Sequence, residues 1–146
     1  MMRRILFRLV LAAVGVGVSP WVYANGNDVV YLVPSYGTRD AHASPLLIGQ
    51  VAMPSDDPQR PWQARGSGAG LEYFVGKRNV IIMIRCDMPI CLTDQNIMVG
   101  MSQTDVLRRM GAATRNFSTV EGVLLAYNGV GFEMVRNAVK RIYILP

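Results

Sequence analysis

Ser102-Gln103-Thr104-Asp105-Val106-Leu107-Arg108-Arg109-Met110-Gly111 carries every signal of a short helix that cannot stand alone. Ser102 is a good N-cap, because its hydroxyl can accept from a backbone N–H of the first turn, and Asp105 completes a capping-box spacing. Met101 before the cap and Val106 after it can close a hydrophobic staple. Val106, Leu107 and Met110 share one face, Arg108 and Arg109 point away, and Gly111 supplies a left-handed stop. The helix has about two and a half turns, too few for stability in water. It must therefore lie on something apolar, and the flanking sequence offers a sheet.

Downstream, Val123–Tyr127, Gly131–Val135 and Val139–Leu145 read as three strands, with Asn128-Gly129 and Asn137 at the turns. Upstream, Leu71–Val75 and Asn79–Arg85 read as two more, joined at Gly76-Lys77-Arg78. Val29–Val33 is a further short strand stopped by Pro34. Ser35–Ala43 is polar and turn-like. Ser44–Gly49 fits one helical turn, with Ser44 as N-cap and Pro45 at N1, almost as well as it fits a strand. Pro54, Pro58 and Pro61 make the stretch between them a loop, which Trp62 can pin to the core. The predicted class is α+β: an antiparallel sheet with one or two short helices packed on one face.

The strand regions echo each other. Gly68-Ala69-Gly70-Leu71-Glu72 and Gly129-Val130-Gly131-Phe132-Glu133 share Gly-x-Gly-apolar-Glu, each followed by a turn and an apolar strand. A degenerate tandem repeat with halves 29–85 and 97–145 would give one continuous sheet; chance similarity between glycine-rich hairpins is the alternative. In either case Glu72 and Glu133 are expected to face solvent.

From Ile97 the chain runs Ile97-Met98-Val99-Gly100-Met101-Ser102, through the helix to Gly111-Ala112-Ala113-Thr114-Arg115, and on through strands to Leu145. This order resembles the Gly-Met-Ser/Thr…Val-x-x-x-x-Gly-x-Pro/Ala-Thr/Ser unit of the BamE (SmpA/OmlA) family, which shares the β-lactamase-inhibitor-protein (BLIP-like) fold. The resemblance implies two helices on one face of an antiparallel sheet, and an envelope protein that binds other proteins rather than catalysing reactions.

The amino-terminal sequence supplies an address. Arg3, Arg4 and Arg8 precede an apolar run from Leu9 to Val18, Pro20 breaks it, and Val22-Tyr23-Ala24 suits signal peptidase. The run is well short of the roughly 20 residues that span a bilayer, so a cleaved signal over 1–24 is expected in preference to a retained anchor. No Cys follows the cut after Ala24, so no lipid-modified end is expected. The mature protein, 25–146, is then a single domain in the periplasm, or alternatively outside the cell, with no transmembrane segment. Three of the fifteen Lys and Arg lie in the signal, leaving twelve against ten acids. That balance lacks the clustered excess of a nucleic-acid-binding protein.

Cys86 and Cys91, in Cys86-Asp87-Met88-Pro89-Ile90-Cys91, read in an oxidising compartment as a disulfide. A redox pair favours two intervening residues, and a metal needs more ligands than two thiols and the distant His42. His42 is the single histidine. No Gly-x-Ser-x-Gly elbow accompanies it, and a surface position is the simpler reading, with a His42–serine hydrolase as the rival. Gly66-Ser67-Gly68-Ala69-Gly70 lacks the Lys-Ser/Thr of a phosphate loop, and Asp56-Asp57 are too close in sequence to flank a substrate. No catalytic residue, cofactor or metal is expected.

The expectation is a non-enzymatic protein-binding or envelope assembly factor whose partner is another envelope protein. An inhibitor or immunity protein that blocks a periplasmic enzyme or toxin is the alternative. The contact surface would be the open sheet face and its hairpin tips. Tyr73, Tyr127, Phe132, Met134 and Tyr143 are the candidate binding residues, although strand alternation must send about half of them to the core.

Overall fold

The computed structural model describes residues 29–40, 45–52 and 70–146. The signal peptide with its cut after Ala24, His42, Asp56-Asp57, the proline-rich loop and Trp62 lie outside the described residues. Nine strands and one α-helix are described: β1 (Val30–Val33), β2 (Gly37–Asp40), β3 (Leu71–Val75), β4 (Ile81–Cys86), β5 (Cys91–Thr93), α1 (Gln103–Met110), β6 (Arg115–Ser118), β7 (Val123–Tyr127), β8 (Val130–Val135) and β9 (Ala138–Ile144).

Six strands form one antiparallel sheet in the order β3-β4-β9-β8-β7-β6, and three form a smaller sheet in the order β2-β1-β5. The α+β expectation holds, with a single short helix among the described residues. The meander from β6 to β9 follows from its turns. Gly129 has φ +76, and Arg136 and Asn137 have φ of 52° and 61°, the left-handed pair a two-residue hairpin turn needs. A Cβ at Gly129 would also collide with Ser35, because the β7–β8 turn abuts the β1–β2 turn and Ser35 N–H donates to Gly129 O at 3.0 Å.

Register places one apolar row across the sheet: Leu71, Cys86, Ile142, Phe132 and Leu125. Tyr73, Ile84, Ile144 and Val130 form the next. All nine are buried. Val30 and Leu32 of β1, Cys91 of β5, Ile97 and Val106 belong to the same core cluster. The small sheet and α1 thus cover one face of the large sheet, giving two layers around one core. The Cys86–Cys91 disulfide, with Cα atoms 6.5 Å apart, joins the end of β4 to the start of β5 and so staples the two sheets.

Helix α1 forms where its caps predicted. Asp105 N–H donates to Ser102 Oγ at 3.1 Å, and Gly111 N–H donates to Leu107 O at 2.8 Å. The Asp105 carboxylate goes instead to Arg108, at 2.5 Å, so the reciprocal half of a capping box is replaced by an ion pair. Gly111 has φ +77 with ψ −166, a positive-φ stop outside the left-handed helical basin. Val106 is fully buried, while Leu107 is on the exposed side of the helix.

Three local expectations are corrected. The polar stretch after Pro34 contains β2, which pairs with β1 in a hairpin. Pro45–Gly49 makes no helical turn; Thr38 N–H donates to Leu46 O at 2.8 Å and Gly49 N–H to Ile81 O at 2.8 Å, so sheet-edge bonds win over a marginal nucleus. Segments 91–93 and 115–118, unread as strands, pair with β1 and β7.

Candidate functional site

Side chains alternate along strands, so the face of the large sheet turned from the core carries the complementary set. Across it run Glu72, Arg85, Tyr143, Gly131, Ala126 and Arg115 in one register row. Arg141, Glu133, Leu124 and Phe117 form the adjacent row. No described element lies on this face.

The rows are wired together. Glu72 and Arg85 form an ion pair, and the Arg85 guanidinium lies 5.4 Å from the centre of the Phe74 ring. Arg141 Nη1 donates to Glu133 Oε2 at 2.8 Å and to Glu121 Oε2 at 3.0 Å. Tyr143 Oη donates to Glu133 Oε2 at 3.2 Å, and Lys140 Nζ to Glu121 Oε2 at 2.8 Å. The β8–β9 register shift beside Glu133 brings Lys140 and Arg141 together onto Glu121.

Protonation follows the wiring. Burial is the largest single influence on Glu133 and pushes its carboxyl up; the hydrogen bonds from Arg141, Thr119 and Tyr143 and the charge of Arg141 together outweigh it, and the group sits below its ordinary value. Glu121 is lowered by its hydrogen bonds to Lys140 and Arg141. Tyr143 is raised, first by burial and then by the charge of Glu133. At neutral pH the strip therefore holds fixed carboxylates and guanidinium groups with a neutral phenol between them. Such an array presents hydrogen-bond donors and acceptors to a surface.

The expectation that Glu72 and Glu133 face solvent is corrected in degree. Both point to the open face, but Glu133 is only 6% exposed beneath Arg141 and Tyr143. Their cross-strand partners are Arg85 and Arg141, so the two Gly-x-Gly-apolar-Glu segments build the same Glu–Arg pair twice. Glu72 and Glu133 were thus legible from the repeat, whereas Arg85 and Arg141 needed the register.

The five candidate contact residues separate by face. Tyr73, Phe132 and Met134 lie in the core at 3%, 0% and 2% exposure and are not open to a partner. Tyr127 also turns inward: it meets Phe132 edge-on at 5.9 Å between ring centroids, and its hydroxyl donates to Gly111 O at 2.8 Å. That bond ties α1 to β7. Tyr143 is the one of the five on the open face. On the open face, sequence reading missed the exposed Phe117 of β6, whose strand had no apolar alternation to announce it.

No family model, curated protein or solved structure matches this chain.

Proposed function

We propose that the chain is an exported, non-enzymatic protein-binding or assembly factor of the cell envelope, working in the periplasm on another envelope protein. The reading begins from the export signal over 1–24 and from the resemblance of residues 97–145 to the BamE-like envelope family. The observation that carries it furthest is the sheet face on which no described element lies, where Arg85, Tyr143, Glu133 and Arg141 stand in an ordered aromatic and charged strip. Preorganised Arg and Tyr side chains lose little rotamer freedom on docking and are the side chains that anchor interfaces.

The experiment is a pulldown from envelope extracts with mass spectrometry, using the protein and a Tyr143→Ala, Arg85→Ala variant. A partner held by the parent and lost by the folded variant supports the reading. A partner retained at full yield, or none under crosslinking, refutes it. A captured hydrolase or toxin whose activity falls on binding would favour the inhibitor alternative.

A further inference from the structure

The ends of the two sheets are not treated alike. The outer edge of β2 is bonded by the segment beside it, with Thr38 N–H donating to Leu46 O and Ile48 N–H to Tyr36 O at 2.9 Å. The outer edge of β5 is met by Thr93 N–H donating to Ile97 O at 3.0 Å. In β3, the register breaks between Phe74 and Val75, and Leu71 and Tyr73 are buried. Folded proteins guard edges in these ways, or with Lys, Pro and bulges.

Strand β6 is short and carries one charge, Arg115, but lacks the other guards. Its sequence, Arg115-Asn116-Phe117-Ser118, contains no Lys or Pro, its ladder to β7 runs without a shift, and all four residues are exposed. Phe117 is 48% exposed. Thr119 N–H donates to Gly122 O at 2.9 Å, so alternation turns the backbone groups of Arg115 and Phe117 toward β7 and those of Asn116 and Ser118 outward. Among the described residues the outer side of β6 is an open hydrogen-bonding edge.

We propose that this edge is a dimer interface that pairs β6 with β6 of a second copy, antiparallel about a two-fold axis through Asn116. The sequence is self-complementary in that register. The two Asn116 residues face each other and exchange two backbone hydrogen bonds; Thr114 N–H is already used toward Ala126 O at 2.9 Å within the chain, so the shared ladder is confined to β6 itself. On the open face each Arg115 lies opposite the other copy's Phe117. Arg115 makes no ion pair among the described residues, so it is free to stack there. The sheet already makes such a contact once, between Arg85 and Phe74. Because the axis is perpendicular to the sheet, both open faces end on the same side, and two six-stranded sheets become one. The ladder is short, so the dimer is a weak one, forming at roughly ten to a few hundred micromolar.

Sedimentation velocity on the oxidised protein across that range tests the proposal. The parent shifts from monomer to dimer with concentration. Asn116→Pro removes two of the shared bonds at a position whose N–H is not used within the chain, and weakens the dimer at least about tenfold. Asn116→Lys sets two like charges across the axis, leaves every backbone bond of the monomer in place, and gives the same loss. A parent that is monomeric throughout, or a dimer undisturbed by Asn116→Lys, overturns the proposal. So does a β6 edge that takes up an extended peptide while the protein never self-associates. None of these results bears on whether the open face binds an envelope partner.

Discussion

Replacing Phe132 with alanine should cost this protein more than any change on the open face. Phe132 is fully buried at the middle of β8, between Leu125 and Ile142 across the neighbouring strands, with Tyr127 edge-on at 5.9 Å. Truncating a buried Phe loses its transfer free energy and leaves a cavity, together about 3–5 kcal/mol, and the aromatic pair adds roughly 0.5–1.5 kcal/mol. A domain of this size has a stability of about 5–15 kcal/mol, so the variant loses from about a quarter to all of it. Guanidinium denaturation followed by circular dichroism is the assay. With a slope of roughly 4 kcal/mol per molar, the midpoint falls by about 1 M. Tyr143→Ala, on the open face, should lower it by less than half as much, since its ring is partly exposed and its hydroxyl is engaged only by the polar partners Glu133 and Arg85. A Phe132→Ala midpoint within about 0.2 M of the parent, with a large fall for Tyr143→Ala, would mean that the two faces are assigned the wrong way round.

The Cys86→Ser, Cys91→Ser variant should lose about 2 kcal/mol from loop entropy alone, and more if the small sheet detaches from β4; urea midpoints of oxidised and variant protein that coincide would refute the stapling role. The acidic limb of the stability curve should follow Glu133. Its folded carboxyl lies below the ordinary value of 4.5, so the unfolded chain binds more protons in that window. The stabilisation is present above about pH 4.5 and is lost as the pH falls through the depressed folded value. Melting temperature measured from pH 7 to 3 should drop less steeply for Glu133→Gln than for the parent; parallel curves would refute the coupling to Arg141.

Local signals read from the chain were sound where they depend on neighbours in sequence. The Ser102 cap, the Gly111 stop and the turns at Gly129 and Asn137 all act within a few residues, and each stands where the sequence placed it. The Cys86–Cys91 bridge closes over four intervening residues and is equally local. Strands β2, β5 and β6 escaped because their residues are polar or few, and they exist through partners supplied by distant segments.

Face assignment was beyond local reading. Strand alternation alone makes Tyr73 and Tyr143 equivalent, since each is one member of an alternating run. Only the register, with small sheet and helix settling on one side, buries Tyr73 among Ile84 and Ile144 and leaves Tyr143 beside Glu133. The sequence therefore determined the helix, the strands with apolar alternation, the staple and the short helix's need for a sheet, because those are consequences of backbone preference and apolar spacing over short distances. The tertiary structure decided which face was covered, which Glu met which Arg, and which edge stayed open. Those outcomes depend on pairings between residues far apart in the chain, whose free energy is realised only when the whole sheet is assembled.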